Sequence, residues 1–328
     1  MENNYNGALE DIRSEEEKLK DYKHEEIASA SVPNWQEREP KKFPIFNQDG
    51  SSACVANAVA KILGIDEIYE GRSFIDLSRR DIYTRRTNEG GGMYLPEALK
   101  ISKDHGATLE NLVPSENKDE TAMNDKTGIN QDTDTIAANY KSKGYVELPI
   151  DMDTIASVIL QGKAVLFGFR FDYDEWIDFP VVHADSQNVC GHGVAGVDAV
   201  LKNNIKYIVI DDSWGPGHAQ FGQRYISEEF LKAKCFYAGY TINLNVEPQP
   251  LPIMEKNDFT EEMRLGSRSS QVVLLQKYLQ KIGMFPAGVE NTGFYGAITK
   301  KAVMAYQTSK GLSADGIVNY LTRASLNL

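Results

Sequence analysis

QDGSSACVANAVAKILG, residues 48–64, decides how the rest of the chain is read. Apolar side chains fall at Val55, Ala58, Val59, Ile62 and Leu63, the spacing of one helix face. Gly64 suits a helix end, and Asp49-Gly50-Ser51-Ser52 is a turn-forming approach to the helix start. Cys54 therefore stands in the first turn of a buried helix. A thiol is a useful nucleophile only as thiolate, a form that a helix N-terminus and a nearby imidazole both favour. The helix supplies the first. The imidazole must come from far along the chain, because such partners meet in space rather than in sequence.

Of the histidines, His24 lies in a charged N-terminal segment, His105 in a turn, His183 in a loop and His218 just after Ser-Trp-Gly-Pro-Gly. His192 alone opens a strong strand pattern, GHGVAGVDAV, with a glycine on each side. Alone, such a histidine is more often a satisfied core residue than a base. The wider pattern favours the base. Gln48 stands six positions before Cys54, and Phe43-Pro44-Ile45 leads into it. Tyr207-Ile208-Val209-Ile210 runs into Asp212-Ser213-Trp214-Gly215, and a segment from Phe221-Gly222 to Tyr225 closes it.

As a set, these features resemble the papain family of cysteine peptidases over residues 32–245, and VPNWQERE is similar to the family's mature N-terminus. His192 and Asp212 follow Cys54 by 138 and 158 residues, against roughly 130 to 150 in the family. The resemblance implies that Cys54 attacks the scissile carbonyl and His192 protonates the leaving amine. It implies an oxyanion hole of the Gln48 amide and the Cys54 N–H, and Trp214 shielding His192 from water. Gly90, Gly91 and Gly92 resemble the strand along which substrate pairs. Asp212 stands where the family has Asn; Asp can also orient an imidazole, and neighbouring Asp211 is the alternative partner. Ser51 replaces the usual half-cystine and Val55 the usual Trp. Cys190 either lines the cleft or packs as a buried thiol. No cofactor or metal is implied.

The chain has 328 residues and is 41% hydrophobic, enough for one sizeable core and a smaller second one. Helical patterns such as LSRRDIYTRR and YLPEALKISKDHG come first. The strand patterns KAVLFGFRF, HGVAGVDAVL, IKYIVIDDSW and AGYTINLNV follow. That order predicts an α+β fold of a helical lobe and an antiparallel β lobe. Residues 115–135 read as a polar loop. Residues 1–31 read as a charged amphipathic helix serving as an arm or short pro-like segment, or as a partly disordered stretch. The peptidase-like region is placed at residues 32–247. A spacer with Pro248, Pro250 and Pro252 follows at residues 248–259, then a helical domain at residues 260–328. Three cysteines are not a disulfide framework, and Cys235 reads as a small buried hydrophobe.

The net charge is −12. From Met263 onward eight basic residues face only Glu290 and Asp315, a net of +6 that leaves −18 for the rest. An acidic body argues against nucleic acid. The basic tail suits an anionic polymer, and equally an ordinary solvated surface. No apolar run reaches membrane-spanning length, and the acidic, polar N-terminus is unlike a secretory signal.

RLGSRSSQVVLLQKYLQKIGMF and TGFYGAITKKAVMAYQTSKGLSADGIVNYLTRASL resemble the three-helix peptidoglycan-binding domain. Leu274, Leu275, Leu279, Val303 and Tyr306 read as its core, and Phe294, Tyr295 and Asp315 as its ligand-contacting turns. The expectation is a monomeric cysteine endopeptidase acting on proteins or peptides at the bacterial wall, extracellular or carried on a virion. A phage-type or bacterial enzyme cutting peptidoglycan peptides is the alternative. An inactive wall-binding adaptor is the third reading, against which Gln48, Cys54 and His192 argue.

Overall fold

The computed structural model describes residues 7–18, 22–23, 33–177, 190–242, 259–286, 288–310 and 312–326. The chain divides into two compact units, Met1–Gln249 and Pro250–Leu328. The three spacer prolines, His24 and His183 lie outside the described residues.

In the first unit the strands are β1 (Ala8–Leu9), β2 (Tyr22–Lys23), β3 (Met93–Tyr94), β4 (Gly144–Glu147), β5 (Val165–Phe171), β6 (Cys190–Lys202), β7 (Ile205–Asp211), β8 (Gln223–Ser227) and β9 (Cys235–Ile242). Seven of them form one sheet in the order β2-β4-β9-β5-β6-β7-β8, and β1 pairs separately with β3. Only β2 and β4 run parallel within the large sheet. Its central strands are continuous apolar runs because both faces are covered. Tyr207 and Val209 enter one hydrophobic cluster with the helix Cys54–Tyr69, while Ile208 and Ile210 enter a second with Ile155, Phe169 and Trp176.

The helix Cys54–Tyr69 is buried from Cys54 to Glu67, which its small residues permit. Its first turn presses on β6 so closely that a Cβ at Gly193 would lie 2.7 Å from Val55 Cγ2. The segment after residue 33 straps onto β6: Arg38 forks onto buried Asp198 with two 2.6 Å bonds, and Lys41 N–H adds a third at 2.8 Å.

Three expectations change. The helix that Cys54 opens does not end at Gly64 but runs through it to Tyr69. Residues 115–135 include the helix Glu120–Met123 and the start of Gln131–Ala137, capped by Asp119 and Asn130. Such caps offset polar composition. In the N-terminal arm the described helix is only Glu15–Lys18, because Ala8–Leu9 and Tyr22–Lys23 are drawn out as strands against β3 and β4. Backbone pairing with the body outweighs a helix with few apolar positions.

The second unit has helices Ser270–Lys281, Ala297–Ser309 and Tyr320–Leu326 around its own core, which includes Leu275, Leu279, Tyr295, Val303 and Tyr306. Leu274 packs partly buried against it. Two buried glutamines knit its turns. Gln276 bonds Phe294 O, Thr299 Oγ1 and Gly293 N–H; Gln307 bonds Asp315, Ile317 O, Thr322 Oγ1 and Gly316 N–H.

Candidate active site

Cys54 opens its helix where that helix meets β6, and its Sγ accepts a hydrogen bond from Gly193 N–H at 3.3 Å. The residue before Gly193 is His192, whose imidazole interacts electrostatically with Cys54. The other face of the imidazole is spent on a carboxylate: His192 Nε2 lies 2.8 Å from Asp212 Oδ1. Three residues 138 and 20 positions apart are thus brought together by the pairing of β6 with β7 and the packing of one helix end on β6.

The neighbouring carboxylates point to different partners. Asp212 Oδ2 accepts from Arg224 Nε at 2.7 Å and Trp176 Nε1 at 2.9 Å. Arg224 also donates to the Trp176 carbonyl. Asp211 bonds Lys61 Nζ at 3.0 Å and Gln223 Nε2 at 2.9 Å, away from the histidine. Asp212 is therefore the histidine's partner in this geometry. Burial opposes charge on His192, but Asp212 and then Cys54 outweigh it and raise its pKa to about 9. Burial likewise works against ionised Asp212, yet His192 and Arg224 hold it well below the usual carboxylate range. Burial pushes Asp211 up and Lys61 down despite their pairing.

Aromatic rings wall off the imidazole. Trp214 lies 5.3 Å from it, and Trp176 and Phe171 meet it edge-on at 5.6 and 6.1 Å. Trp214 is half-buried and also contacts Tyr173 and His218. Gln48 is fixed between the lobes: its N–H donates to Ser213 O at 2.8 Å and its Oε1 accepts from Ser213 Oγ at 2.6 Å. One amide N–H goes to Ser51 O, and an NH2 group has a second to offer. Cys190 is buried in the second cluster, where burial raises its thiol pKa. Burial pushes Cys235 to about 12.

Gly90, Gly91 and Gly92 lead directly into β3, with φ of +50° at Gly91 and +75° at Gly92. The strand is occupied. β1 of the N-terminal arm runs parallel to β3, and Met93 N–H donates to Gly7 O at 2.8 Å. A Cβ at Gly7 would lie 2.3 Å from Cys54 Sγ, and one at Gly191 would lie 2.5 Å from Ala8 O. Cys54 is accordingly fully buried.

In the second unit Phe294 is 37% exposed, with the Arg268 guanidinium 4.3 Å from its ring centre. Asp315 is exposed and holds its own turn through Gln307 and Ile317 N–H. Tyr295 differs from expectation. It is fully buried and donates its hydroxyl to Gly316 O, so it holds the turn from inside.

Sequence reasoning missed Arg224, Trp176, Lys61 and Glu120. Two of these had a signal: a basic residue inside an apolar pattern, Lys61 in the helix and Arg224 beside Tyr225-Ile226, requires a buried partner.

Known structures share this fold. Xylellain, a cysteine protease from Xylella fastidiosa, superposes with a TM-score of 0.61 at 20% identity, covering 74% of this chain and 97% of that one. The ragweed cysteine protease Amb a 11, in its proform, gives 0.51 at 20% identity over 62% of each chain. A mite-allergen structure described for Blo t 1 and Der p 1 gives 0.54 at 19% identity, covering 73% and 80%. No curated protein sequence matches significantly. Residues 268–326 match the family described as putative peptidoglycan binding domain. The chain thus joins a body with the papain-like fold of cysteine proteases to a C-terminal domain of the peptidoglycan-binding type.

Proposed function

We propose that the body is a cysteine endopeptidase held on bacterial cell wall by its C-terminal domain. The observation that carries this reading is Cys54 at a helix start, bonded by the N–H of Gly193, with His192 next along the same strand and bonded to Asp212. Cys54 Sγ, its proton passed to His192, attacks the peptide carbonyl. The developing oxyanion is met by the Cys54 N–H and the free N–H of the Gln48 amide. His192 gives its proton to the leaving amine, and water then hydrolyses the thioester with His192 as base. Asp212 keeps the ring oriented, and Arg224 and Trp176 keep Asp212 oriented.

The described form is latent in this reading. The arm runs over Cys54 on the strand that substrate needs, with Gly7 leaving no room between it and the sulfur. Peptide enters when the arm is displaced.

A second reading, cleavage of peptidoglycan stem peptides, is favoured by the matched C-terminal domain, which would bring the cleft to that polymer. Casein and purified wall, each incubated with the chain lacking residues 1–31 and with its Cys54→Ala variant, separate the two. Cys54-dependent casein fragments support the endopeptidase. Cys54-dependent release of wall peptides alone supports the second reading, and neither product overturns both.

A further inference from the structure

The turn carrying Cys54 and the glycine strand belong to separate segments, and the described cysteines, Cys54, Cys190 and Cys235, are all free. Something else must fix the groove between turn and strand. Glu120, from the short helix in the polar segment, reaches both. Its Oε2 accepts from Ser52 N–H at 2.7 Å, two residues before Cys54. Its Oε1 accepts from Tyr83 Oη at 2.7 Å. That same Tyr83 oxygen accepts from Gly92 N–H at 3.0 Å. The Arg86 guanidinium stacks 3.6 Å from the Tyr83 ring centre and lies 3.6 Å from Glu120. Tyr83 and Ser52 are fully buried, while the Glu120 side chain that joins them is 34% exposed.

We propose that Glu120 and Tyr83 form a positioning clasp that sets the width of the substrate groove by joining the Ser52 turn to the Gly92 strand. This rests on the peptidase reading for its kinetic consequence, but not for its structural one. Neither residue touches the reacting atoms. Their loss should weaken pairing of the substrate backbone more than the chemistry at Cys54.

The geometry supplies a covalent replacement. A Cβ at Gly91 would lie 3.6 Å from Ser52 Cβ, inside the range of about 3.5–4.5 Å that a disulfide spans. Ser52→Cys with Gly91→Cys should therefore close the same gap, at the cost of a side chain at the positive φ of Gly91.

The test uses the full chain. Glu120→Ala should raise KM for a quenched-fluorescence peptide about fivefold or more with kcat within about twofold. Tyr83→Phe should do so more weakly. Adding the Ser52→Cys/Gly91→Cys pair to Glu120→Ala should restore KM when oxidised and not when reduced, with bond formation read by mass spectrometry. Hydrogen exchange at the Ser52 and Gly92 amides, measured in a Cys54→Ala background, should speed up in Glu120→Ala. That measurement needs no activity, so it judges the clasp even if no peptide is cleaved. Unchanged exchange overturns the clasp, as does an unchanged KM or a formed disulfide that fails to restore KM.

Discussion

On the β-lobe side of the cleft, Asp212 spends its oxygens on His192, Arg224 and Trp176, all essentially out of water. On the helical side, Glu120 holds Ser52 and Tyr83 with its side chain 34% exposed. Both carboxylates orient other groups. The first acts in a low-dielectric pocket, where a lost partner leaves a buried charge and costs about 3–5 kcal/mol. The second sits where water can substitute in part, so its loss is felt as geometry. On the proposed reading, one half of the cleft would govern proton transfer and the other substrate placement.

The sharpest way to break this division lies at the adjacent aspartates. Asp212→Ala should lower kcat by on the order of 10²-fold or more, because His192 loses its orienting acceptor, and should also destabilise the fold by leaving Arg224 unpaired. Asp212→Asn should retain more activity, since an amide oxygen still accepts the imidazole N–H. Asp211→Ala should strand buried Lys61 and cost about 3 kcal/mol of stability while sparing kcat at temperatures where the variant is folded. Urea unfolding beside steady-state kinetics reads both. A larger kcat loss from Asp211→Ala than from Asp212→Ala would reverse the assignment.

The arm tests the substrate side. Gly7→Val in the full chain, or deletion of residues 1–31, should raise kcat/KM severalfold on a small peptide, because a Cβ at position 7 meets Cys54 Sγ. Unchanged kcat/KM with normal folding would mean that the arm does not restrict access.

A smaller effect concerns pH. Burial opposes the imidazolium, but Asp212 and Cys54 place His192 at about 9, above its ordinary 6.5. A raised folded-state pKa contributes stability that is complete below about 6.5 and lost as pH rises through about 9. The alkaline limb of kcat/KM should fall near pH 9, and Asp212→Asn, which removes the charge, should move it lower. A limb that stays in place would separate His192 from Asp212 energetically.

Much of this cleft was legible because its chemistry is tied to local pattern. The helical period fixes Cys54 at a helix start, and the strand patterns around His192 and before Asp212 are long apolar runs. The register of Ser213-Trp214-Gly215 favoured Asp212 over Asp211, as the geometry does. Glu120 was illegible because its helix has four residues and the role proposed for it depends on contacts to Ser52 and Tyr83, 68 and 37 positions away. The arm misled for a related reason: its conformation follows from backbone pairing with β3 and β4, which its side chains do not encode. Tyr295 looked like a surface aromatic because a Gly-Phe-Tyr-Gly turn gives no sign of which ring faces in.

The central claim, that Cys54 is the nucleophile and His192 its base, is tested most directly by alkylation. In the chain lacking residues 1–31, iodoacetamide at mildly acidic pH should label Cys54 well ahead of Cys190 and Cys235, whose thiols burial holds protonated. His192→Ala should remove that advantage. Equal labelling of all three cysteines, or a Cys54 advantage that survives His192→Ala, would contradict the account.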